Sequence, residues 1–295
     1  MKLLLMRAAI IIPVHNRREV TLRCLHSLED SRLPVDFGIV VVDDGSTDGT
    51  SAAVAEAFPT VIIERGTGEL FWTGGIVQGM RRAISEGAAF LFWLNDDCLP
   101  EADALPRMLA YMEENPRTIC GASCYVCGSS QPVKTGFRQR RAVCATGSVT
   151  EVDGLSGYCV GIPATVCAEI GLPNATHLPH YGADGVYTLL AKRKGCRVVL
   201  LQESRANLLD EKPVQTIVER AGSSPLNWSA FVRTTFFARN SPFFLKGQYW
   251  YHRYKYGFLA GGLLFLVKFF HWAWTVAFYW RRRSWQPAPH TIGSN

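Results

Sequence analysis

A chain of 295 residues, 48% hydrophobic and 19% charged, is long enough to bury a full core and is neither disordered nor a small disulfide scaffold. Its nine cysteines are an odd number without paired spacing, so reduced thiols are expected. The net charge of +6 comes without a lysine-rich run in the first 240 residues, which argues against nucleic acid as a partner.

The opening Met1 to Arg7 is basic and then apolar, but too interrupted for a signal peptide, and a cytoplasmic protein is expected. Ala9 to Val14 reads as a strand buried on both faces, with His15, Asn16 and Arg17 at its end. Val20, Leu22, Leu25 and Leu28 recur at near-helical spacing up to the Pro34 region. Gly38 to Val42 is a second buried strand that runs into Asp43, Asp44, Gly45, Ser46, Thr47 and Asp48. A helix over Ala52 to Phe58 and a strand over Thr60 to Ile63 follow. The alternation predicts a parallel sheet with right-handed crossovers. Neither Gly-x-Gly-x-x-Gly after the first strand nor Gly-x4-Gly-Lys-Ser/Thr occurs, which disfavours a common dehydrogenase and a P-loop enzyme.

A helix is expected over Ile76 to Ser85, with Gly74, Gly75 and Gly79 allowing close backbone approach and an N-terminus that favours an anion. Gly79 serves tight packing on the sheet equally well. Leu91 to Leu94 is a buried strand ending in Asn95, Asp96 and Asp97, and the carboxyl edge of an open α/β sheet is where ligands sit. Two carboxylates there suit a hard divalent cation bridging phosphates. They equally suit a turn and the cap of a helix over Asp103 to Glu114. Cys120, Cys124 and Cys127 have an iron–sulfur-like spacing, but they lie in a stretch that reads as strand, and coincidence is expected.

From Cys120 to Val160 the pieces become short and β-like, including an arginine-rich Gly136 to Arg141 that reads as solvated surface or as a loop meeting an anion. Leu155 to Pro163 looks like a further strand. After Gly182 a helix is expected, with Asp184 at its N-terminal end, Lys192, Arg193 and Lys194 in its last turn and Gly195 as its stop. Val198 to Leu201 is a last core strand, and Gln215 to Arg239 reads as helical. Tyr256 to Trp280 is apolar and aromatic with basic flanks, and Lys268 lies mid-run. An interfacial or re-entrant helix on an anionic leaflet is favoured over a true span, with a buried dimer helix as the alternative.

Pro13-Val14-His15-Asn16-Arg17, then Val42 to Asp48, then Asn95-Asp96-Asp97, together resemble a family 2 glycosyltransferase. Leu70 to Gly75 with Gly79 and Trp93 to Asp97 is similar to its rhamnosyltransferase-like branch. The resemblance implies a GT-A fold: a Rossmann-like nucleotide-binding α/β sheet with helices on both faces and a mixed-sheet acceptor half. Residues 1–210 would be catalytic (1–118 donor half, 119–210 acceptor half) and 211–295 a membrane-associating helical extension.

The resemblance also implies an inverting, metal-dependent transfer from a nucleoside diphosphate sugar to a polysaccharide or lipid-linked glycan acceptor. Pro13, His15, Arg17, Asp44, Gly75 and Asp96 would bind the donor. Asp97 would hold Mg2+ or Mn2+, and Asp184 would be the general base, with His180 a secondary candidate. The family motif is usually Asp-x-Asp, so Asn95 is a departure that shifts the burden onto Asp97. A peripheral location on the cytoplasmic face of the membrane is expected, and a homodimer is left open. Two other classes stand beside this reading, a nucleotidyltransferase making sugar nucleotides and a non-catalytic membrane-bound binding subunit.

Overall fold

A computed structural model describes residues 6–139, 141–210, 214–224 and 227–283. The opening segment 1–5 and Arg140, which belong to the leader and arginine-loop readings, lie outside the described residues. The chain forms two compact units, Met1–Glu211 and Lys212–Asn295.

In the first unit, β1 (Ala8–Val14), β2 (Phe37–Asp43), β3 (Ile62–Arg65) and β4 (Phe90–Leu94) are parallel, with β1 between β2 and β4. The crossovers are α1 (Arg18–Glu29), α2 (Thr50–Ala57) and α3 (Phe71–Ser85). After β5 (Cys98–Pro100) and α4 (Ala104–Glu114), the sheet is extended by β6 (Thr118–Val126), by β11 (Cys159–Pro163), which is antiparallel to β4 and β6, and by β12 (Arg197–Leu208), which is parallel to β6. The strand order is β3-β2-β1-β4-β11-β6-β12-β5, and β9 (Val149–Glu151) pairs with β12. A three-stranded sheet is made by β10 (Gly154–Leu155), β7 (Gly136–Arg138) and β8 (Arg141–Val143), so the arginine-rich stretch is part of a hairpin. The donor and acceptor halves expected from sequence therefore share one mixed sheet.

The continuous apolar runs follow from burial on both faces. Ile10, Ile12 and Val14 of β1 and Phe92 and Leu94 of β4 join one cluster with Leu25 and Leu28 of α1 and Met108 of α4. Ala9, Ile11, Leu91 and Trp93 point the other way, to Ile76 and Met80 of α3 and Tyr187 of α6 (Ala183–Arg193). Cys120 and Cys124 are buried in β6 within the first cluster and Cys127 is exposed, so the three thiols do not converge. Helix α3 begins five residues earlier than Ile76.

The second unit is helical: α7 (Ile217–Ser223), α8 (Trp228–Val232), a π-turn (Arg233–Phe237), α9 (Leu245–Tyr256) and α10 (Phe258–Arg283). The stretch Gln215 to Arg239, expected to be helical, holds two short helices and a π-turn among its described residues. Thr216 and Glu219 form a reciprocal cap on α7. Gly257, at φ +87°, separates α9 from α10 within the apolar run. Ile217, Phe231, Phe236, Phe243, Trp272 and Val276 make this unit's own core. A short α5 (Ala164–Ile170) completes the first unit.

Candidate active site

Parallel pairing of β1 with β2 and β4 brings Val14, Asp43 and Leu94 to one sheet edge, and the residues that follow them converge there. Arg17, just before α1, clasps both carboxylates after β4: Nε donates to Asp96 Oδ2 at 2.9 Å and Nη2 to Asp97 Oδ2 at 2.8 Å. Asp96 is buried, and Thr21 Oγ1 also donates to its Oδ2 at 3.3 Å. Burial, together with the neighbouring charge of Asp97, pushes the Asp96 carboxyl up to about 6, although Arg17 opposes the shift. The Asp97 side chain stays 28% exposed, and among the described residues none donates to its Oδ1.

Asp44 faces the start of α3. Its Oδ1 accepts from the Gly68 N–H at 2.7 Å and its Oδ2 from the Phe71 N–H at 2.9 Å. The anion at the N-terminus of α3 is therefore the chain's own carboxylate. Its second lone pairs remain for a ligand N–H or hydroxyl. Asp43 is structural: its Oδ1 accepts from the Ser46 N–H and its Oδ2 from the Ser51 hydroxyl. His15 Nδ1 lies 2.6 Å from the Asp44 carbonyl, which can only accept, so Nδ1 carries the proton; the Asn16 side-chain amide lies 3.1 Å from Nε2. Asn16, at φ +52°, ties the two loops together through the Ser46 hydroxyl and the Thr47 N–H. Pro13 fills the space over Gly75: a Cβ there would meet the proline Cβ at 2.9 Å. At Gly79 a Cβ would meet Ile11 at 2.3 Å, so both glycines let α3 sit close on the sheet.

Asn95 is joined to the acceptor half. Its N–H donates to the Tyr158 carbonyl at 3.0 Å, because β11 lies antiparallel beside β4, and its Oδ1 accepts from Trp72 Nε1 at 2.8 Å. The Trp72 ring covers Gly157, whose N–H donates to Asp184 Oδ2 at 2.7 Å. Asp184 is in the first turn of α6 but is not its cap, a place held by Gly182 at φ +80°. Its Oδ1 accepts from the Gly185 N–H at 2.7 Å. Burial raises the Asp184 carboxyl, partly offset by these amides. His180 Nδ1 accepts a long 3.4 Å bond from the Trp72 N–H, beside a Thr73 N–H to Pro179 carbonyl bond, and burial lowers its basicity, which favours a neutral ring with Nε2–H as a donor.

The expected residues thus gather at one edge: Arg17 with Asp96 and Asp97, and Asp184 reached from Asn95 through Trp72 and Gly157. Sequence reasoning missed Trp72 and Gly157 as site members, as well as Asn16 and Thr21. Only an unusual Phe-Trp-Thr-Gly-Gly run marked the first of these. Among the described residues no group of three or more His, Cys, Asp or Glu side chains forms a metal cage. The donor set still fits Mg2+ or Mn2+, which take one or two carboxylates and complete their shell with phosphate oxygens and water. A guanidinium already stands between the two carboxylates, as a cation would.

Residues 9–151 match the family model described as Glycosyl transferase family 2. A "PGL/p-HBAD biosynthesis glycosyltransferase" of Mycobacterium bovis is 36% identical over 114 residues, and one of Mycobacterium tuberculosis matches equally. The match covers 36% of this chain and 42% of the relative's length, so the chain spans well under two thirds of those relatives. Among solved structures, GalNAc-T7 with UDP, GalNAc and Mn2+ superposes with a TM-score of 0.59 at 15% identity, over 82% of this chain and 50% of that one. S. aureus TarS 1–349 in complex with UDP superposes with a TM-score of 0.56 at 16% identity, over 81% and 70%. Strand order, strand-end carboxylates and these similarities agree: residues 9–151 match the family 2 glycosyltransferases, within a first unit, Met1–Glu211, that has the fold of the GT-A glycosyltransferases.

Proposed function

We propose that the protein is an inverting, metal-dependent glycosyltransferase that moves a sugar from a nucleoside diphosphate onto a polysaccharide or lipid-linked glycan, working at the cytoplasmic face of a membrane. The observation that carries the reading is the continuity of the Asp96–Asp97 pair with Asp184 through Asn95, Trp72 and Gly157. The similar structures that hold UDP support a nucleoside diphosphate donor.

Asp184 takes the proton from the acceptor hydroxyl as its oxygen bonds to the anomeric carbon, while the bond from that carbon to the diphosphate oxygen breaks and its electron pair leaves with the diphosphate. Both Asp184 oxygens are oriented by backbone N–H groups and each keeps a lone pair for that proton. The partial burial that raises its pKa strengthens it as a base. Asp97, with Asp96 beside it, would hold Mg2+ or Mn2+, which supplies Lewis-acid stabilisation of the departing diphosphate. Arg17 supplies positive charge to the same place, Pro13, His15 and Asp44 line the nucleoside end, and His180 Nε2–H is a donor for phosphate or sugar oxygens.

The test is a melting-shift screen of nucleoside diphosphate sugars with and without Mn2+ or Mg2+, followed by transfer assays on the stabilising donor. Cation-dependent stabilisation by at least one donor, with Asp184→Asn binding that donor but failing to transfer, is expected. No stabilisation by any donor, or unchanged transfer by Asp184→Asn, would overturn the reading.

A further inference from the structure

We infer that the second unit docks on an anionic membrane surface through the outward face of α10, which lies in the plane of the bilayer and does not cross it. The inference rests on the peripheral location proposed above and specifies which face makes the contact and how.

Charge is divided sharply along the chain. Residues 212–295 hold eleven Lys and Arg and a single acid, Glu219, a net of +10; the remaining twenty basic and twenty-four acidic residues leave residues 1–211 at −4. Most of the exposed large apolar side chains among the described residues lie in the basic unit. Helix α10 has 26 residues, roughly 39 Å at 1.5 Å per residue, and is long and apolar enough to cross a membrane. Leu259, Leu263, Val267, Phe270 and Trp274 recur along one side of it and are between 61% and 82% exposed. Such a stripe on one side of a helix is the pattern of an interfacial helix.

The other side is covered by the unit itself nearly end to end. A Cβ at Gly261 would strike the backbone of His252 and Arg253. Phe265 lies on Tyr249, with ring centroids 5.6 Å apart, and Lys268 Nζ donates to Gln248 Oε1 at 3.3 Å. Trp272 meets Phe243 and Phe236, and Trp280 meets Trp228 and Phe231. The mid-run lysine that argues against a span is therefore turned into the unit and partnered by α9. If α10 crossed the bilayer, Gln248, Arg253 and Lys255 of α9, Arg220 of α7 and Arg233 of the π-turn would be carried to hydrocarbon depth, where each is costly. Lying flat, α10 buries its apolar stripe while those polar and charged groups stay at headgroup level. Tyr249, Trp250, Tyr251, Tyr254 and Tyr256 of α9 are of the type that accumulates there.

The test uses the purified full chain with phosphatidylcholine vesicles, with and without phosphatidylglycerol. Sedimentation with the anionic vesicles, weakened by salt, is expected, and Lys246→Gln with Arg281→Gln should weaken it about fivefold or more per charge. Val267→Asp with Phe270→Asp should weaken it by at least about tenfold; a melt checks its fold, and the charge variant stands if that pair unfolds. Tryptophan placed at Leu259 or Leu266, and native Trp274, should be quenched equally by shallow brominated lipid. Deep quenching only at 266 means a span and overturns the inference. So does lipid-independent dimerisation that Val267→Asp abolishes, or equal binding to neutral vesicles. A donor-induced melting shift retained when vesicle binding fails separates loss of this inference from loss of the catalytic reading.

Discussion

Replacing Arg17 by Gln removes the cation that clasps both Asp96 and Asp97. Two charge-assisted bonds of 2.9 and 2.8 Å are lost. The Asp96 bond is the stronger, because that side chain is only 7% exposed, whereas Arg17 itself is 43% exposed and the Asp97 contact is screened. About 2 kcal/mol for the Asp96 contact and less than about 1 for that of Asp97 is the expected cost in stability. A divalent ion approaching the two carboxylates no longer meets a guanidinium within 3 Å of the same oxygens. At an effective dielectric of about 20 the repulsion between unit charges 4 Å apart is about 4 kcal/mol, about twice that for a divalent ion against a guanidinium, and exposure reduces the relief to about 1–2.

Donor-free Mn2+ affinity, measured by calorimetry at pH 8, should therefore tighten about 5- to 30-fold in the variant. The pH dependence has a definite sign. Asp96 is raised to about 6 from the ordinary carboxylate range, so its charged form is disfavoured by folding. Wild-type stability is favoured by this group at low pH and declines as pH rises from about 4 to about 6, while cation affinity grows through the same window. Unchanged or weaker Mn2+ binding by Arg17→Gln at pH 8 would refute the idea that the arginine occupies the cation's place.

Asp184→Asn should lower kcat by about 10²-fold or more, the usual contribution of a general base, with little change in donor affinity. Because the folded pKa of Asp184 is raised, wild-type kcat/KM should fall on the acid side at a pH above the ordinary aspartate value of about 3.9; a limb at or below that value contradicts the base assignment. At Gly157 an added Cβ would lie 2.5 Å from the Trp72 ring and 3.2 Å from the Asp184 Cβ. Gly157→Ala should therefore reduce kcat about tenfold or more while donor binding, read by calorimetry, is largely kept. Gly79→Ala drives a methyl to 2.3 Å from Ile11 Cγ2 and should cost about 1–2 kcal/mol in urea unfolding, overpacking outweighing the gain in helix propensity; a more stable variant would show that α3 has room to move.

Much of the first unit was legible in the chain because its signals are local. Continuous apolar runs mean strands covered on both faces, as with β1 and β4, whose alternate residues feed the two clusters. The residues that follow each strand, His15, Arg17, Asp44, Asp96 and Asp97, are assigned to one sheet edge by the strand pattern alone. The limits of that reading are equally physical. Gly75 read as room for a donor, but whether a glycine faces a ligand or a neighbouring side chain depends on helix rotation, and Pro13 is its neighbour. The Cys120, Cys124 and Cys127 spacing lost its meaning once β6 sent two thiols into the core and one to solvent.

The amino-acid sequence by itself determined the α/β alternation, the carboxylates at the strand ends and the apolar character of the last helix, since each depends on residues near one another in the chain. Only the tertiary structure decided that β11 lies antiparallel against β4. That pairing brings Tyr158 against Asn95 across more than sixty residues, and Gly157 next to it joins Trp72 to Asp184. It also decided that Arg17 bridges both aspartates and that Lys268 turns inward to Gln248. Contacts of that kind are set by strand order and helix rotation, which arise from the packing of the whole core and leave no periodicity in the sequence.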